Sequence, residues 1–464
     1  MKLKNLLFTL AAILFIYTVS VTAIGCAQIG APTGGPRDSI APVLVTAAPK
    51  LLTTNFNGNK ITLIFDEYIN VLEVQKNVMV SPFPKTFPII DFKLKTVTVK
   101  LKDTLLANTT YAINFGNAIV DNNEGNIFKE FTYVFSTGKT IDSLKLTGTV
   151  LMAETGKPDS TLQALLYRNA NDSSVQKRKP DYIAKVSAVG KFTFTNLSAG
   201  VYRVYALKDG DGGKTYNSKI ETFAFANKDI VIGAATDTVL LYAYEEEKEK
   251  KKVATVTIKA ADKKLKYTPS VANNATQDLL SDLRITFNNK LKNFDTTKII
   301  LTDSNYNKIE GSAISIDSTR KIVIIKNKWP EEAVYRLIIN KQAVSDSANG
   351  LLTKSDTIRF KTKKESEYGS LLLRFSKMDP GKHAVIQFIK NGDVVKSVPV
   401  ISPIWSSKLI EPGEYELRVL YDTNNNGKWD PGNYTYKLQP EKARTLDKTL
   451  TIKPNWENER DVEL

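Results

Sequence analysis

Short stretches in which apolar and polar residues alternate follow one another from Pro42 onward. Turn-forming residues separate them about every ten residues, the spacing typical of an all-β sandwich. An apolar residue at every second position indicates a strand with one buried face. Three such trios in the first part of the chain are Ile61, Leu63 and Phe65; Tyr111, Ile113 and Phe115; and Phe131, Tyr133 and Phe135.

These trios recur, diverged, later in the chain. The counterparts are Leu283, Ile285 and Phe287; Tyr335, Leu337 and Ile339; and Ile358, Phe360 and Thr362. The last set aligns with Tyr133, Phe135 and Thr137. Ten residues separate Gly125 from Phe135, and ten separate Gly350 from Phe360. The two copies are offset by 222 to 225 residues, which indicates an internal repeat.

A second kind of module lies between the copies and also recurs. Gly200–Val204 begins nine residues before Asp209, and Gly413–Leu417 begins nine residues before Asp422. We therefore expect an all-β chain of tandem sandwiches in the order A-B-A′-B′, each about 100 residues long, as in immunoglobulin-like (Ig-like) domains. The expected boundaries are 41–139 for A, 143–244 for B, 255–364 for A′ and 365–464 for B′.

Residues 1–25 have the plan of a bacterial export signal. Lys2 and Lys4 precede an uncharged stretch from Leu6 to Gly25, and a basic start with an apolar middle is typical of such signals. Two other interpretations stay open. The stretch is about long enough to remain as a membrane-spanning helix, or it is cleaved without further modification. All three interpretations place the modules outside the cytoplasm.

Cys26 is the only cysteine, which excludes an intrachain disulfide and a cysteine-based zinc site. With the preceding Ala23-Ile24-Gly25 it resembles the lipobox of bacterial lipoproteins. The resemblance implies that Cys26 is lipidated after signal cleavage and anchors the protein in the cell envelope. Ala27 favours the outer membrane and leaves open whether the chain faces the periplasm or the exterior. The Gly- and Pro-rich residues 26–40 are expected to form a flexible spacer.

Two domain families resemble the modules. Module A contains PVLVTAAPK, ITLIFDEYI and YVFSTG and is similar to the bacterial Ig-like domain of S-layer proteins of the SbsA type; A′ is a degenerate copy. Module B contains LTGTV and GKFTFTNLSAGVYRVYALKD and, like B′, is similar to transthyretin-like or carboxypeptidase-regulatory-like sandwiches. The whole chain resembles Ig-like lipoproteins of Bacteroidetes, a resemblance that implies no catalytic residues.

The formal net charge is +15, and a basic surface can attract anionic partners. The lysines are spread along alternating strands instead of forming a cluster, so we expect solvated strand faces and no nucleic-acid partner. The densest charged run, Glu245–Lys252, has cancelling signs. Residues 245–254 are therefore expected to form an exposed charged linker or a short helix between modules.

The strongest local motif is the loop from Asp422 to Asp430 in module B′. Oxygen-bearing side chains occupy positions 1, 3, 5 and 9, and glycine occupies position 6, as in the first part of an EF-hand-type calcium loop. Asn433 stands where the bidentate glutamate of position 12 belongs. The expected ligands of a structural calcium ion are Asp422, Asn424, Asn426, Asp430 and the backbone carbonyl of Lys428.

A solvated turn stabilised by its own Asx side chains is the alternative interpretation of this loop. Module B carries a poorer version of the motif in Asp209, Asp211, Gly213, Tyr216 and Asn217. Both versions have an aromatic residue at position 8 and an Asx residue at position 9. A calcium ion in either loop would stiffen one end of a sandwich.

Other candidate chemistry is sparse. The acidic pair Asp66-Glu67 is replaced in A′ by asparagines, so acid–base catalysis is not expected there. His383 is the only histidine, which excludes histidine triads and multi-histidine metal sites within this chain. We therefore expect a protein that is not an enzyme. Trp429 is the candidate for stacking on a glycan, with packing inside the module as the alternative.

Two functions are compatible with these features. The first is a non-enzymatic outer-membrane lipoprotein that acts as a structural or protein-binding scaffold in an envelope complex. Its partners would be the membrane, through the lipid anchor, and another envelope protein. The second is a carbohydrate- or peptidoglycan-binding surface lipoprotein that uses Trp429 and the Asp422–Asp430 loop.

Overall fold

The computed structural model describes residues 2–22, 37–233, 238–248 and 264–464. Contacts within it divide the chain into two units. The first unit comprises Met1–Val80, Pro84–Ala107 and Ala112–Thr137, and the second comprises Ser81–Phe83, Asn108–Tyr111 and Gly138–Leu464. Module A thus forms the first unit apart from two short stretches, and modules B, A′ and B′ belong to the second.

The chain begins with helix α1 (Lys2–Thr22). Its window Leu3–Ser20 has a mean hydropathy of 1.7 and is long and apolar enough to cross a membrane. An export signal has the same properties, so the helix is consistent with an envelope or surface protein. Cys26 and the spacer up to residue 36 lie outside the described residues.

Module A folds into short strands around an apolar core. Three sheets result, with strand orders β1-β2-β6-β5, β4-β7-β9 and β3-β8. The predicted alternation is confirmed, because Ile61, Leu63 and Phe65 on β2 are all buried. The elements are β1 (Leu44–Ala48), β2 (Lys60–Phe65), β3 (Ile69–Val71), α2 (Val74–Asn77), β4 (Met79–Ser81), β5 (Ile89–Lys93), β6 (Thr96–Lys100), β7 (Thr110–Asn114), β8 (Ile119–Asp121) and β9 (Thr132–Ser136).

Module B is a two-sheet sandwich with a short helix, α3 (Ser174–Lys177). One sheet has the order β13-β10-β17, with β10 and β17 parallel. The other has the order β12-β11-β14-β15, and β16 also pairs with β14. The strands are β10 (Leu144–Met152), β11 (Gln163–Arg168), β12 (Tyr182–Lys185), β13 (Lys191–Leu197), β14 (Gly200–Leu207), β15 (Phe223–Phe225), β16 (Ile230–Ile232) and β17 (Val239–Ala243).

Module A′ repeats the strand order of module A in its described part. Its sheets β18-β20-β24-β23 and β21-β26 correspond to β1-β2-β6-β5 and β3-β8. The third sheet, β19-β27-β25-β22, adds strand β19 to the arrangement of β4-β7-β9. The strands are β18 (Tyr267–Pro269), β19 (Ala275–Gln277), β20 (Leu283–Phe287), β21 (Leu291–Phe294), β22 (Ile299–Asp303), β23 (Ala313–Ile316), β24 (Ile322–Lys326), β25 (Val334–Ile339), β26 (Val344–Asp346) and β27 (Asp356–Thr362).

Module B′ repeats module B strand for strand. Its sheets are β31-β28-β35, with β28 and β35 parallel, and β30-β29-β32-β33, with β34 pairing β32. The strands are β28 (Gly369–Ser376), β29 (Ala384–Lys390), β30 (Asp393–Pro399), β31 (Ile404–Ile410), β32 (Gly413–Tyr421), β33 (Lys442–Thr445), β34 (Leu450–Ile452) and β35 (Glu457–Glu463), and short 3-10 turns lie at Thr296–Lys298, Glu365–Glu367 and Pro380–Lys382. The all-β fold and the A-B-A′-B′ order are therefore confirmed.

Tyr434 of module B′ is buried in an aromatic cluster of module B. The residue is 4% exposed. The centroid of its ring lies 5.1 Å from that of Phe223 and 5.2 Å from that of Phe225, and both pairs are close to perpendicular. The rings of Tyr205 and Tyr216 are also nearly perpendicular to it, with centroid distances of 6.0 and 6.1 Å. Such edge-to-face contacts are a favourable geometry for aromatic rings. The second and fourth sandwiches are thus docked directly against each other.

Polar groups of Tyr434 are also satisfied by module B and the residues that follow it. Its hydroxyl donates to the carbonyl of Asp172 at 2.6 Å and lies 3.1 Å from the hydroxyl of Tyr205. Its backbone N–H donates to the carboxylate of Glu246 at 2.8 Å. Nearby, the Gln439 side chain donates to a backbone carbonyl of β15 at 3.0 Å. The ring is therefore held in one orientation and not merely covered.

Strand β33 of module B′ also forms backbone hydrogen bonds with module B. The N–H of Ala443 donates to the carbonyl of Ala153 at 2.8 Å, and that of Thr445 to Thr155 at 2.9 Å. Gly156 sits beside this edge with a φ of +70°, and a Cβ atom there would lie 2.8 Å from the Ala443 carbonyl oxygen. The close approach of the two backbones thus requires glycine.

Of the residues predicted to begin an exposed linker, Glu247 and Lys248 are exposed as expected, and Glu245 and Glu246 are partly covered. The Glu246 side chain is 4% exposed, and the Lys248 ammonium forms an ion pair of 3.0 Å with Glu154 of module B. The Glu246 side chain is covered because module B′ docks beside it, which places the N–H of Tyr434 on its carboxylate. Residues 249–254 lie outside the described residues.

Tyr434→Ala should lower the free energy of unfolding of the second unit by about 3–5 kcal/mol, the usual cost of truncating a buried aromatic ring. Urea denaturation of the full chain measures the change. Tyr436→Ala is the matched control, since Tyr436 lies two residues away and is 74% exposed; a surface substitution changes stability by less than about 0.5 kcal/mol. Equal effects of the two variants would contradict the docking.

Candidate functional site

The loop predicted to hold calcium connects β32 to β33 in module B′. Asp422, directly after β32, is 1% exposed. Its carboxylate accepts N–H groups of the loop backbone, from Asn426 at 3.2 Å and from Gly427 at 2.6 Å. Gly427 has a φ of +74°, a left-handed conformation that favours glycine. The glycine at position 6 therefore makes the bend that the sequence pattern requires.

The other side chains of the motif converge on Asp430. Its Oδ2 accepts the amide N–H of Asn424 at 2.7 Å and that of Asn426 at 2.6 Å. The side-chain oxygen of Asn426 in turn accepts the backbone N–H of Lys428 at 2.7 Å. The structure thus brings the side chains predicted from the spacing into one oxygen-rich loop.

Glu441 is a further carboxylate at this loop, and the spacing of the calcium-loop motif does not indicate it. The residue is 6% exposed and directly precedes β33. Its Oε1 accepts the backbone N–H of Thr423 at 2.6 Å and the hydroxyl of that residue at 2.7 Å, while Oε2 accepts the N–H of Asp430 at 3.1 Å. Glu441 therefore ties the start of the loop to its end.

Position 12 does not serve the loop. Asn433 exchanges backbone hydrogen bonds with Leu438 in a separate turn, and its side chain accepts the N–H of Tyr436. The internal repeat offered the missing signal. Glu441 stands two residues before Ala443, which pairs with Leu420, and in module B Glu221 stands two residues before Phe223, which pairs with Leu207. Aligning the strands instead of counting loop positions would have found both glutamates.

The loop of module B has the same construction and also carries three carboxylates. Oxygen atoms of Asp209, Asp211 and Glu221 lie within 4.8 Å of one another. Glu221 accepts the backbone N–H of Asn217 at 3.2 Å, as Glu441 does from the corresponding Asp430. Hydrogen bonds from the Asn217 side chain and the Gly213 N–H hold the pKa of Asp211 below its ordinary value.

An ammonium group already contacts the loop of module B. The Lys214 Nζ lies 2.6 Å from Asp209, whose side chain is 4% exposed. The corresponding position in module B′ is Gly427, so the two loops differ in their internal cation. One lysine ammonium contacts one of the three carboxylates, so the negative charge of the cluster is only partly compensated.

Trp429 packs mainly inside module B′. Its indole N–H donates to the carbonyl of Glu441 at 2.7 Å, and the ring contacts a small apolar cluster of Val385, Leu420 and Ala443. The aromatic residue at the same position of module B, Tyr216, is stacked on Phe223 with a centroid distance of 4.1 Å. Packing is therefore a shared role of position 8, and a glycan contact of Trp429 stays a prediction.

The acidic pair Asp66-Glu67 of module A and the lone histidine, His383, lie in turns that hydrogen bonds to neighbouring residues stabilise. The carboxylate of Asp66 accepts the N–H of Val43 at 2.8 Å. Burial and the neighbouring Asp121 raise the pKa of Glu67. In module A′ the corresponding Asn289 donates to Asp346 at 2.9 Å. His383 ends a 3-10 turn with a φ of +45°, and its carbonyl accepts the N–H of Asp422.

Comparisons with known proteins bear on the first sandwich. Residues 38–137 match the family model of the bacterial Ig-like domain. No curated protein sequence matches the chain. The Ig-like interpretation of module A is therefore confirmed at the level of the domain family.

Solved structures show weaker similarity. The major pilin subunit BcpA of Bacillus cereus is 10% identical and covers 69% of this chain and 99% of its own, with a TM-score of 0.18. The Bacillus anthracis TIE protein is 13% identical and covers 93% of this chain and 76% of its own, also at 0.18. The N-terminal part of the S-layer protein SbsC is 14% identical, with 44% of each chain covered, at 0.16. Such low scores support no inference about function.

Proposed function

We propose that this chain is a non-enzymatic scaffold of the bacterial cell envelope, attached to the outer membrane through a lipid on Cys26 and bound to an envelope protein partner. Its main support is that aromatic and charged side chains are engaged between modules. Tyr434 joins B′ to B, and the Arg418 guanidinium of B′, 7% exposed, lies 3.5 Å from Glu154 of B. Groups buried in such contacts hold sandwiches together and leave their outer edges for partners.

The junction between A′ and B′ is held in the same way. Tyr368, 1% exposed, donates its hydroxyl to the carboxylate of Asp278 at 2.7 Å and accepts the N–H of Leu279 at 2.8 Å. Lys363 adds an ion pair of 3.1 Å to the same carboxylate. The three modules of the second unit are thus coupled to one another, and a scaffold benefits from such coupling because a load on one module reaches the next.

The anchor and the partner can be tested in one purification from solubilised membranes. A tagged wild-type chain should incorporate labelled palmitate and co-purify with a defined envelope protein in stoichiometric amount. Cys26→Ser should lose the label and leave the membrane fraction or stay unprocessed, because the serine hydroxyl does not replace the thiol that is acylated. Ser39→Ala is a control that keeps the thiol.

Unchanged labelling of Cys26→Ser would contradict lipidation. Recovery of the wild-type chain as a lone monomer would contradict the scaffold role. The two readouts are independent. Labelling without co-purification would identify a lipidated chain that has no partner, and co-purification without labelling would identify a chain that binds a partner but carries no lipid.

We also propose that the Asp422–Asp430 loop holds a structural calcium ion, with Glu441 as an additional carboxylate. Its support is the EF-hand-like spacing, together with the hydrogen bonds that hold the oxygen-bearing side chains of Asp422, Asn426, Asp430 and Glu441 in or beside this loop. The amide groups of Asn424 and Asn426 now donate to Asp430, so an ion would require them to turn their carbonyl oxygens inward. Calcium prefers such oxygen ligands.

Calcium should therefore release heat on titration into the EDTA-treated chain and raise its stability, by about 2.7 kcal/mol at a hundredfold excess over Kd. Calorimetry and thermal melting measure the two effects. Asp430→Asn should weaken binding, and Asp447→Asn, an exposed residue outside the loop, should not. Absence of heat together with an unchanged melting temperature would contradict the calcium site.

A further inference from the structure

A groove of about 720 Å³ lies at the seam between modules B and B′. Module B and the residues after it contribute Glu154, Glu245 and Glu246, and module B′ contributes strand β30, Gln387 of β29 and part of the Asp422–Asp430 loop. The volume falls within the range of about 300–1,000 Å³ that small-molecule sites occupy, and seams between domains are a common place for them.

Gln387 provides a polar group in the wall of this groove without a partner of its own. The residue is 1% exposed. Among the residues that the structure describes, nothing donates a hydrogen bond to its Oε1 atom. A buried acceptor that stays unpaired is costly, so native structures rarely leave one unless a ligand or water completes it.

Apolar surface lines the groove beside this acceptor. Val394 and Val395 on the edge strand β30 are 46% and 54% exposed. Trp429 forms part of the lining, and the hydrogen bond from its indole N–H to Glu441 fixes the ring in place. A fixed aromatic ring is suited to packing against the C–H face of a ligand.

The charges in the lining balance. Three glutamates and three lysines contribute to it: Glu154, Glu245, Glu246, Lys248, Lys396 and Lys428. One pair is already formed, between Lys248 and Glu154 at 3.0 Å. A formally neutral lining does not favour a ligand of high charge over an uncharged one.

We propose that this groove binds a neutral oligosaccharide. A sugar hydroxyl donates to Gln387 Oε1, and the C–H face of a pyranose ring packs on Trp429 and the two valines. Neutral sugars combine hydrogen-bond donors with an apolar face and carry no charge, which matches the three properties of the lining. The site is separate from the scaffold role, because it requires no envelope protein partner.

The full-length chain should bind neutral glycans on an array, and calorimetry with tetrasaccharides then identifies their source. An N-acetylglucosamine tetrasaccharide represents the peptidoglycan type, and glucose and mannose tetrasaccharides represent other polysaccharides, with tetragalacturonate as the acidic comparator. Gln387→Leu and Trp429→Ala should each weaken binding about tenfold or more, a loss typical of one hydrogen bond or one stacking contact to a ligand. Trp456→Ala is the matched control, since this tryptophan of the same module is 59% exposed and outside the lining.

Val395→Glu is a second variant for the case in which Trp429→Ala disturbs the loop. It places a negative charge on the exposed wall of the groove without changing the core, and it should also weaken binding. If the chain binds none of the neutral glycans on the array, the proposal is overturned. Equal or tighter binding of tetragalacturonate, or binding that Gln387→Leu and Val395→Glu leave unchanged, would overturn it as well.

Discussion

The second unit depends on the burial of one side chain, Tyr434, in a neighbouring sandwich. The ring fills an aromatic cluster of module B, its hydroxyl is bonded to Asp172, and its backbone N–H is bonded to Glu246. Separation of B′ from B would expose the ring and break these hydrogen bonds together. Modules B and B′, which begin more than 200 residues apart in the sequence, therefore behave as one packed body with A′ connected between them in the chain.

The segment that carries Tyr434 also carries the candidate chemistry. It leaves β32 at Asp422, forms the oxygen-rich loop up to Asp430, enters module B at Tyr434 and returns to β33 through Glu441. Because Glu441 is bonded to both ends of the loop, the loop and the docked ring belong to one continuous structure. The groove beside it takes its walls from both modules, so its shape exists only while they are docked.

Much of this fold could be predicted from the sequence because strand alternation is a local property. The trio Ile61, Leu63 and Phe65 is buried as the two-residue period requires, and the repeated modules have matching strand orders. Contacts between distant positions leave no such local signal. Nothing in the spacing around Tyr434 points to Phe223, and the run at Glu245–Lys252 has the composition of a solvated linker although the Glu246 side chain is buried. Glu441 was missed for a related reason, since it approaches the loop from the next strand and not from the twelfth position.

The docking of module B′ on module B is tested most directly by hydrogen exchange at two backbone amides. The N–H groups of Ala443 and Thr445 are bonded to the carbonyls of Ala153 and Thr155, at 2.8 and 2.9 Å. In the full-length chain they should exchange as slowly as amides in the centre of β32, because the two modules must part before water reaches them. Exchange as fast as that of an exposed turn, with β32 still protected, would show that B′ folds without resting on B and would contradict this account.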